Sequence, residues 1–230
     1  HPGTARGYED LGLLTSDPDV GQDLTRLFNQ LSGYAPKSSF SRLLVAPVSI
    51  REQLIEKIEE QVARKQAGEE AWIGIKVNSI VDERTIDALY RASQAGVRVD
   101  LVVRGICGIR GGVKGLSENI RVRSILGRYL EHSRIYAFGP PGEEEVWIGS
   151  ADLMHRNLDR RVEALVRIDN REHVDYLAGL VRTEASPGTS SWRLRKNGRW
   201  RRHTQDKFGA PLRDIQVELM EEASSRVVGR

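Results

Sequence analysis

Trp72-Ile73-Gly74-Ile75-Lys76-Val77 is a short, mostly apolar run that reads as a buried strand. Asp82 to Ala95 follows as a helix, with Ile86, Leu89, Tyr90 and Ser93 at helical spacing, and Gly96 stops it in the left-handed conformation. Val97 to Val103, rich in valine, is the next strand. Upstream, Leu43-Leu44-Val45 reads as a strand, and Ser49-Ile50-Arg51-Glu52 as a capping box. That box opens a helix to about Lys65, with Leu54, Ile55, Ile58 and Val62 inward. Two consecutive β-α-β units predict a parallel sheet with helices packed on it.

The pattern extends in both directions. Asp19 to Ser32 reads as a helix capped by Asp19, with Leu24, Leu27, Phe28 and Leu31 on one face and Gly33 at its end. Tyr34 to Phe40 reads as a linker, giving a division into residues 1–36 and 37–230. Downstream, strands are expected at Ile120–Ile125, Arg134–Phe138, Val146–Ile148 and Val162–Ile168, and a helix from His173 to Arg182. Asn197-Gly198 suggests a type I′ hairpin within Trp192–Trp200, and Pro211 the start of a last helix with Ile215, Leu219 and Met220 inward. The fold class is α/β, a mixed sheet flanked by helices.

Composition narrows the function. The chain has 230 residues, 39% hydrophobic and 29% charged, enough for one substantial domain or two small ones. No apolar run approaches the roughly 20 residues of a membrane helix. The single cysteine, Cys107, cannot form an internal disulfide, and the reducing cytoplasm is the simplest compartment. A start without methionine suggests a fragment. The net charge is only +3, but cations are clustered. Arg121, Arg123, Arg128 and Arg134 face one acid, Glu131. Arg193, Arg195, Lys196, Arg199, Arg201 and Arg202 form a second group without any acid. Such segments are either polyanion sites or solvated surface, with equal weight for the second group.

The chemistry centres on Glu131-His132-Ser133-Arg134. In a strand, His132 and Arg134 point to one face. Gly149-Ser150-Ala151-Asp152 follows a strand, so backbone N–H groups there can approach an anion. Arg104 opens a loop rich in glycine, at the strand edge where α/β sheets bind ligands. A histidine, paired cations and a Gly-Ser loop can hold a phosphoryl group and move a proton at it.

His132-x-Arg134 followed by Gly149-Ser150-x-Asp152 resembles half of a phospholipase D-like site. More specifically, four stretches resemble the C-terminal catalytic region of the type-1 bacterial polyphosphate kinases: Ser117–Ile125, Glu131–Tyr136, Gly149–Asp152 and Arg156–Glu163. So do Thr4–Gly12, Ile75–Ser79 and Ala92–Val97, and the likeness runs from about Thr4 to about Glu222. The resemblance implies a phospholipase D-like fold, with residues 1–36 ending a first catalytic domain and 37–230 forming the second. It implies reversible transfer of the terminal phosphate of ATP to inorganic polyphosphate through a phosphohistidine upstream of this chain. Tyr8, Arg104 and His132 fall on the family's nucleotide site, with His132 catalytic. His1 is not the phosphorylated histidine, and the family's two magnesium-binding arginines also lie upstream.

Arg121, Arg123, Arg134, Ser150, Arg156, Arg160 and Arg161 are candidate contacts to polyphosphate. Some of these arginines are expected to pair with Glu131, Asp159 or Glu163 instead. Mg²⁺ is expected with ATP or ADP, because the phosphate charge must be neutralised. The implied partners are upstream domains and a homo-oligomer at full length, with no obligatory nucleic acid. Departures from the family pattern are Gly108, Gly111, Lys114 and Leu153-Met154-His155. His155 and Cys107 read as an exposed loop histidine and a packing residue. Two rival readings remain: a dimeric phospholipase D-like phosphodiesterase or nuclease, and a non-catalytic polyanion or nucleic-acid module on Trp192–His203.

Overall fold

In the computed structural model, which describes residues 6–34 and 39–228, the central strand is β3 (Trp72–Val77), buried at every position. A strand apolar on both faces belongs in the middle of a covered sheet. β3 pairs in parallel with β4 (Arg98–Val103), across α3 (Glu83–Gln94), and β4 pairs in parallel with β5 (Ile120–Ser124). Asp82 caps α3 by accepting from the Thr85 N–H, and Gly96 ends it at φ +92°. On its other edge β3 meets β7 (Ile135–Phe138), followed by β8 (Glu145–Gly149), β9 (Glu163–Ile168) and β2 (Leu43–Ala46), all antiparallel to their neighbours. Beyond β5, β10 (Ser191–Leu194) and β11 (Trp200–His203) complete a mixed nine-stranded sheet. Helices α2 (Ile50–Gln66) and α3 cover one face, and α4 (Arg171–Glu184) the other. Two short strands lie outside this sheet: β1 (Tyr8–Glu9) pairs in parallel with β6 (Leu130–Glu131).

Several expectations change. β2 does not lie beside β3. The β7-β8-β9 meander pairs through short connections and takes that edge, which leaves β2 at the rim. Ser49 does not close a capping box, because its hydroxyl is bonded to the Val45 backbone, and Glu52 pairs with Arg84 instead. α1 (Pro18–Leu31) is capped by Asp17, not Asp19; Pro18 sits at the first helical position, where a missing N–H costs nothing. The hairpin turn is not type I′. Asn197 keeps a negative φ, and only Gly198, at φ +78°, is left-handed, which makes a type I turn with a glycine bulge. The last helix, α5 (Ile215–Val228), starts after Pro211, with Asp214 accepting from Gln216 N–H. The expected linker falls mostly on residues 35–38, and His1 and Thr4 on 1–5, outside the described residues.

α1 turns Val20, Asp23 and Leu27 inward, while Leu24, Phe28 and Leu31 are exposed. Asp23 is wholly buried and accepts from the backbone of Ser41, Arg42 and Leu43. Burial opposes its charge, but those donors hold the carboxyl below its ordinary range. Asp23→Ala orphans three backbone donors, so an unfolding free energy lower by about 1–3 kcal/mol is expected in chemical denaturation.

Candidate active site

The carboxyl ends of β3 and β4 bring Asn78 and Arg104 together, and Arg104 Nε donates to Asn78 Oδ1 at 3.0 Å. The loop after β8 adds Asp152. Its Oδ1 accepts from Asn78 N–H at 2.7 Å, and its Oδ2 from Arg134 Nη2 at 3.2 Å. Arg134 Nη1 donates to the His132 carbonyl at 2.8 Å and lies 3.2 Å from His132 Nε2. His132 Nδ1 lies 2.7 Å from Asp10 Oδ2. A carboxylate can only accept, so Asp10 holds the Nδ1–H tautomer and leaves a lone pair on Nε2. Tyr8 meets the imidazole edge-on, ring centroids 5.0 Å apart. A groove of about 340 Å³ runs from Tyr8 along Tyr129, Leu180, Gln216 and Met220.

His132 and Arg134 therefore share a face as expected, but not in a strand. They lie in the extended link between β6 and β7, fixed by the His132 N–H bond to Glu9 O. Gly105 is needed for close approach, because a Cβ there would meet Asn78 O at 2.9 Å. The terminal nitrogens of Arg104 have no protein partner among the described residues.

Other expected site residues are spread out. Ser150 accepts from Ala164 N–H, on the edge of β9. Arg156 and Arg160 belong to a π-helical turn (Arg156–Arg160), and these two and Arg161 are exposed. Arg121 and Arg123 lie on β5, in a different groove. The expected pairing of these arginines with Glu131, Asp159 or Glu163 does not occur. Arg51 takes Asp159, Asn157 takes Glu163, and Lys76 and Gln216 take Glu131. His155 is exposed and paired with Glu83 at 2.7 Å; its hydrogen bond to Asp159, and then the charge of Glu83, raise its pKa. Burial pushes the Cys107 thiol up, as fits a packing residue.

Under the site lies a cluster the sequence reading did not assemble. Lys76, 1% exposed, places Nζ at 3.2 Å from Glu9, 2.6 Å from Glu131 and 2.7 Å from Glu184. The signal was present as a lysine inside an apolar strand. Burial opposes the charge on Glu9, but Lys76 and Ser133 keep its carboxyl low. Burial pushes Glu184 up to about 7, with Glu131 and Glu9 adding against the pull of Lys76. The folded state thus holds this proton more tightly than the unfolded chain. Its contribution is full below about 4.5 and is lost as pH rises through about 7. Glu184→Gln cannot ionise. Its stability relative to the parent is expected to rise between pH 5 and pH 8, by on the order of 2 kcal/mol. A flat difference in denaturation at the two pH values would sink this assignment.

No helix among the described residues is long and apolar enough to cross a membrane. Residues 43–211 match the family described as polyphosphate kinase C-terminal domain 2. The chain is 60% identical over 221 residues to the polyphosphate kinase of Streptomyces coelicolor, covering 96% of this chain and 30% of that protein. It matches the crystal structure of polyphosphate kinase from Porphyromonas gingivalis with TM-score 0.85 and 32% identity, over 94% of this chain and 33% of that one. A weaker likeness, TM-score 0.46 at 16% identity, is to Nuc from Salmonella typhimurium, a phospholipase D family member; it covers 70% of this chain and 95% of that one. The chain thus spans about a third of the length of the polyphosphate kinases it matches. Matched over most of its length, the chain belongs to the polyphosphate kinase family, as its C-terminal region.

Proposed function

We propose that this chain is the nucleotide- and polyphosphate-facing part of a polyphosphate kinase, working opposite a phosphohistidine supplied by upstream domains. The observation that carries the reading is the convergence of His132, Arg134 and Arg104 beside Tyr8 at one sheet edge. In the forward direction the bond between the terminal phosphorus of ATP and the ADP oxygen breaks as a P–N bond forms on the upstream histidine. The P–N bond then breaks as the phosphoryl group bonds to the terminal oxygen of polyphosphate. Arg104 offers its unengaged terminal nitrogens to the phosphate oxygens, and Arg134, held by His132 O and Asp152, adds positive charge beside them. His132, with its Nε2 lone pair toward Arg134, takes or returns a proton at the moving group. Tyr8 borders the groove in which the nucleotide lies.

Among the described residues no group of three His, Cys, Asp or Glu side chains is arranged to hold a metal ion. Mg²⁺ enters with the nucleotide, whose phosphate charge it neutralises. The exposed Leu24, Phe28 and Leu31 face of α1 supports docking against upstream domains, and a cytoplasmic location and a full-length homo-oligomer belong to the same reading.

The test is ATP formation from ADP and polyphosphate by this chain with Mg²⁺, beside His132→Ala, with binding of both substrates measured in parallel. Binding without ATP formation supports the reading. ATP formation abolished in the variant would place the phosphate carrier in this chain. Hydrolysis of a simple phosphodiester would favour the phospholipase D-like alternative.

A further inference from the structure

β5 and β10 set four arginines against each other. Arg121 and Arg123 are two residues apart and share a face of β5. Arg193 of β10 lies directly opposite Arg123 in the antiparallel register, and Arg195 follows at the hairpin turn. Together with Lys196 they line a groove of about 740 Å³, in which Glu118 is the only acidic residue among those described. None of the five cations has a carboxylate within ion-pair distance among the described residues. Glu118 pairs with none of them, and Asp100, the acid that acts on Arg123, is bonded by Trp72 and Arg98.

Arg123 is 4% exposed, and among the described residues its guanidinium has one hydrogen-bonding partner, the Ser191 hydroxyl, at 2.9 Å. Burial lowers its pKa, and Arg193 and Arg121 lower it further. Like charges directly opposite across strands are destabilising. A fold that keeps them without counter-charge is arranged for an anion from outside. The lining includes Gly111 and Gly112; a Cβ at Gly112 would meet nothing within 4 Å, whereas one at Gly111 would meet Ile120 O at 2.8 Å.

The groove follows β5 from Ile120 to Arg123, three strand steps or about 10 Å. That is long for a single phosphate and suits a run of linked ones. At its carboxyl end, Ser124 Oγ lies 3.5 Å from Arg104 O, so the groove adjoins the candidate active site without sharing its residues. We infer that the cleft between β5 and the β10–β11 hairpin is a second anion site, holding an internal stretch of a condensed phosphate chain away from its reacting end. The choice of condensed phosphate rests on the proposed function; the presence of an anion site does not.

The experiment is titration of the chain with long-chain inorganic polyphosphate, ADP and a single-stranded RNA, at several salt concentrations. The variant is Arg121→Gln/Arg193→Gln/Arg195→Gln, three exposed positions. Its polyphosphate affinity is expected to fall at least tenfold, and the salt dependence to flatten by roughly one unit of slope per cation removed. ADP affinity stays unchanged, and the thermal midpoint is equal or higher, since mutual repulsion is relieved. Unchanged polyphosphate affinity in a variant that still binds ADP overturns the inference and leaves the proposed function standing. A parent chain that binds neither polyphosphate nor ADP overturns both. RNA bound as tightly as polyphosphate, and lost equally in the variant, would make the groove a nucleic-acid interface and overturn the assignment. Should the triple variant lose its thermal transition, Arg195→Gln at the exposed turn carries the same test, with a several-fold loss expected.

Discussion

Lys76→Met is expected to lower the unfolding free energy by about 3–5 kcal/mol at pH 7.5, because it removes the one cation from a buried set of three carboxylates. Methionine fills most of the same volume, so the loss is electrostatic and not a cavity. With Lys76 gone, Glu9, Glu131 and Glu184 can stay buried only by binding protons. The cost should therefore shrink as pH falls toward 5, where protonation removes the uncompensated charge. Chemical denaturation at the two pH values checks both statements. A pH-independent loss would mean that packing of the lysine stem, not its charge, holds the region. The cluster ties four elements together: β1 through Glu9, β3 through Lys76, β6 through Glu131 and α4 through Glu184. β1 carries Tyr8 and leads into Asp10, so Lys76→Met should also weaken nucleotide binding in protein that remains folded. Glu184→Gln, which lowers the excess of acids, should not.

This cluster also shows where the sequence stopped being legible. β3, α3 and β4 could be read directly, because apolar runs and a 3.6-residue period are local signals, and Asp82 and Gly96 mark the helix ends. The pairing of His132 with Arg134 was legible for the same reason: the two are neighbours two residues apart. The partners of Lys76 stand 67, 55 and 108 residues away, and no local pattern announces them. The place of β2 was hidden likewise, since strand direction follows from β-α-β alternation but adjacency depends on how the later meander packs. Ser49 was misread because a hydroxyl that can cap a helix can equally bond the turn before it, and only the fold decides. The arginines were visible as charge, but their division was not. β5 lies two strands from β3, so Arg121 and Arg123 open on the hairpin groove, while Arg104 and Arg134 meet at Asn78 and Asp152.

His132→Ala is expected to reduce phosphoryl transfer by about 10²–10⁴-fold when this chain is assayed together with the upstream domains proposed above. The imidazole is one-third exposed and anchored on both sides, by Asp10 at Nδ1 and by Arg134 near Nε2. A side chain held in that way loses little freedom in reaching the reacting phosphate, so removing it should lower turnover more than substrate binding. Asp10→Asn separates holding from chemistry. The amide can still accept from Nδ1–H, but it no longer supplies the negative charge that stabilises imidazolium. A loss of about tenfold in turnover is expected, with ADP affinity nearly unchanged. Arg134→Gln should behave differently, because it removes a cation as well as the bonds to His132 O and Asp152. Substrate affinity should then fall together with turnover. If His132→Ala instead leaves turnover intact and only lowers the thermal midpoint, the histidine is a packing residue beside Tyr8, and the transfer chemistry belongs to the upstream domains alone.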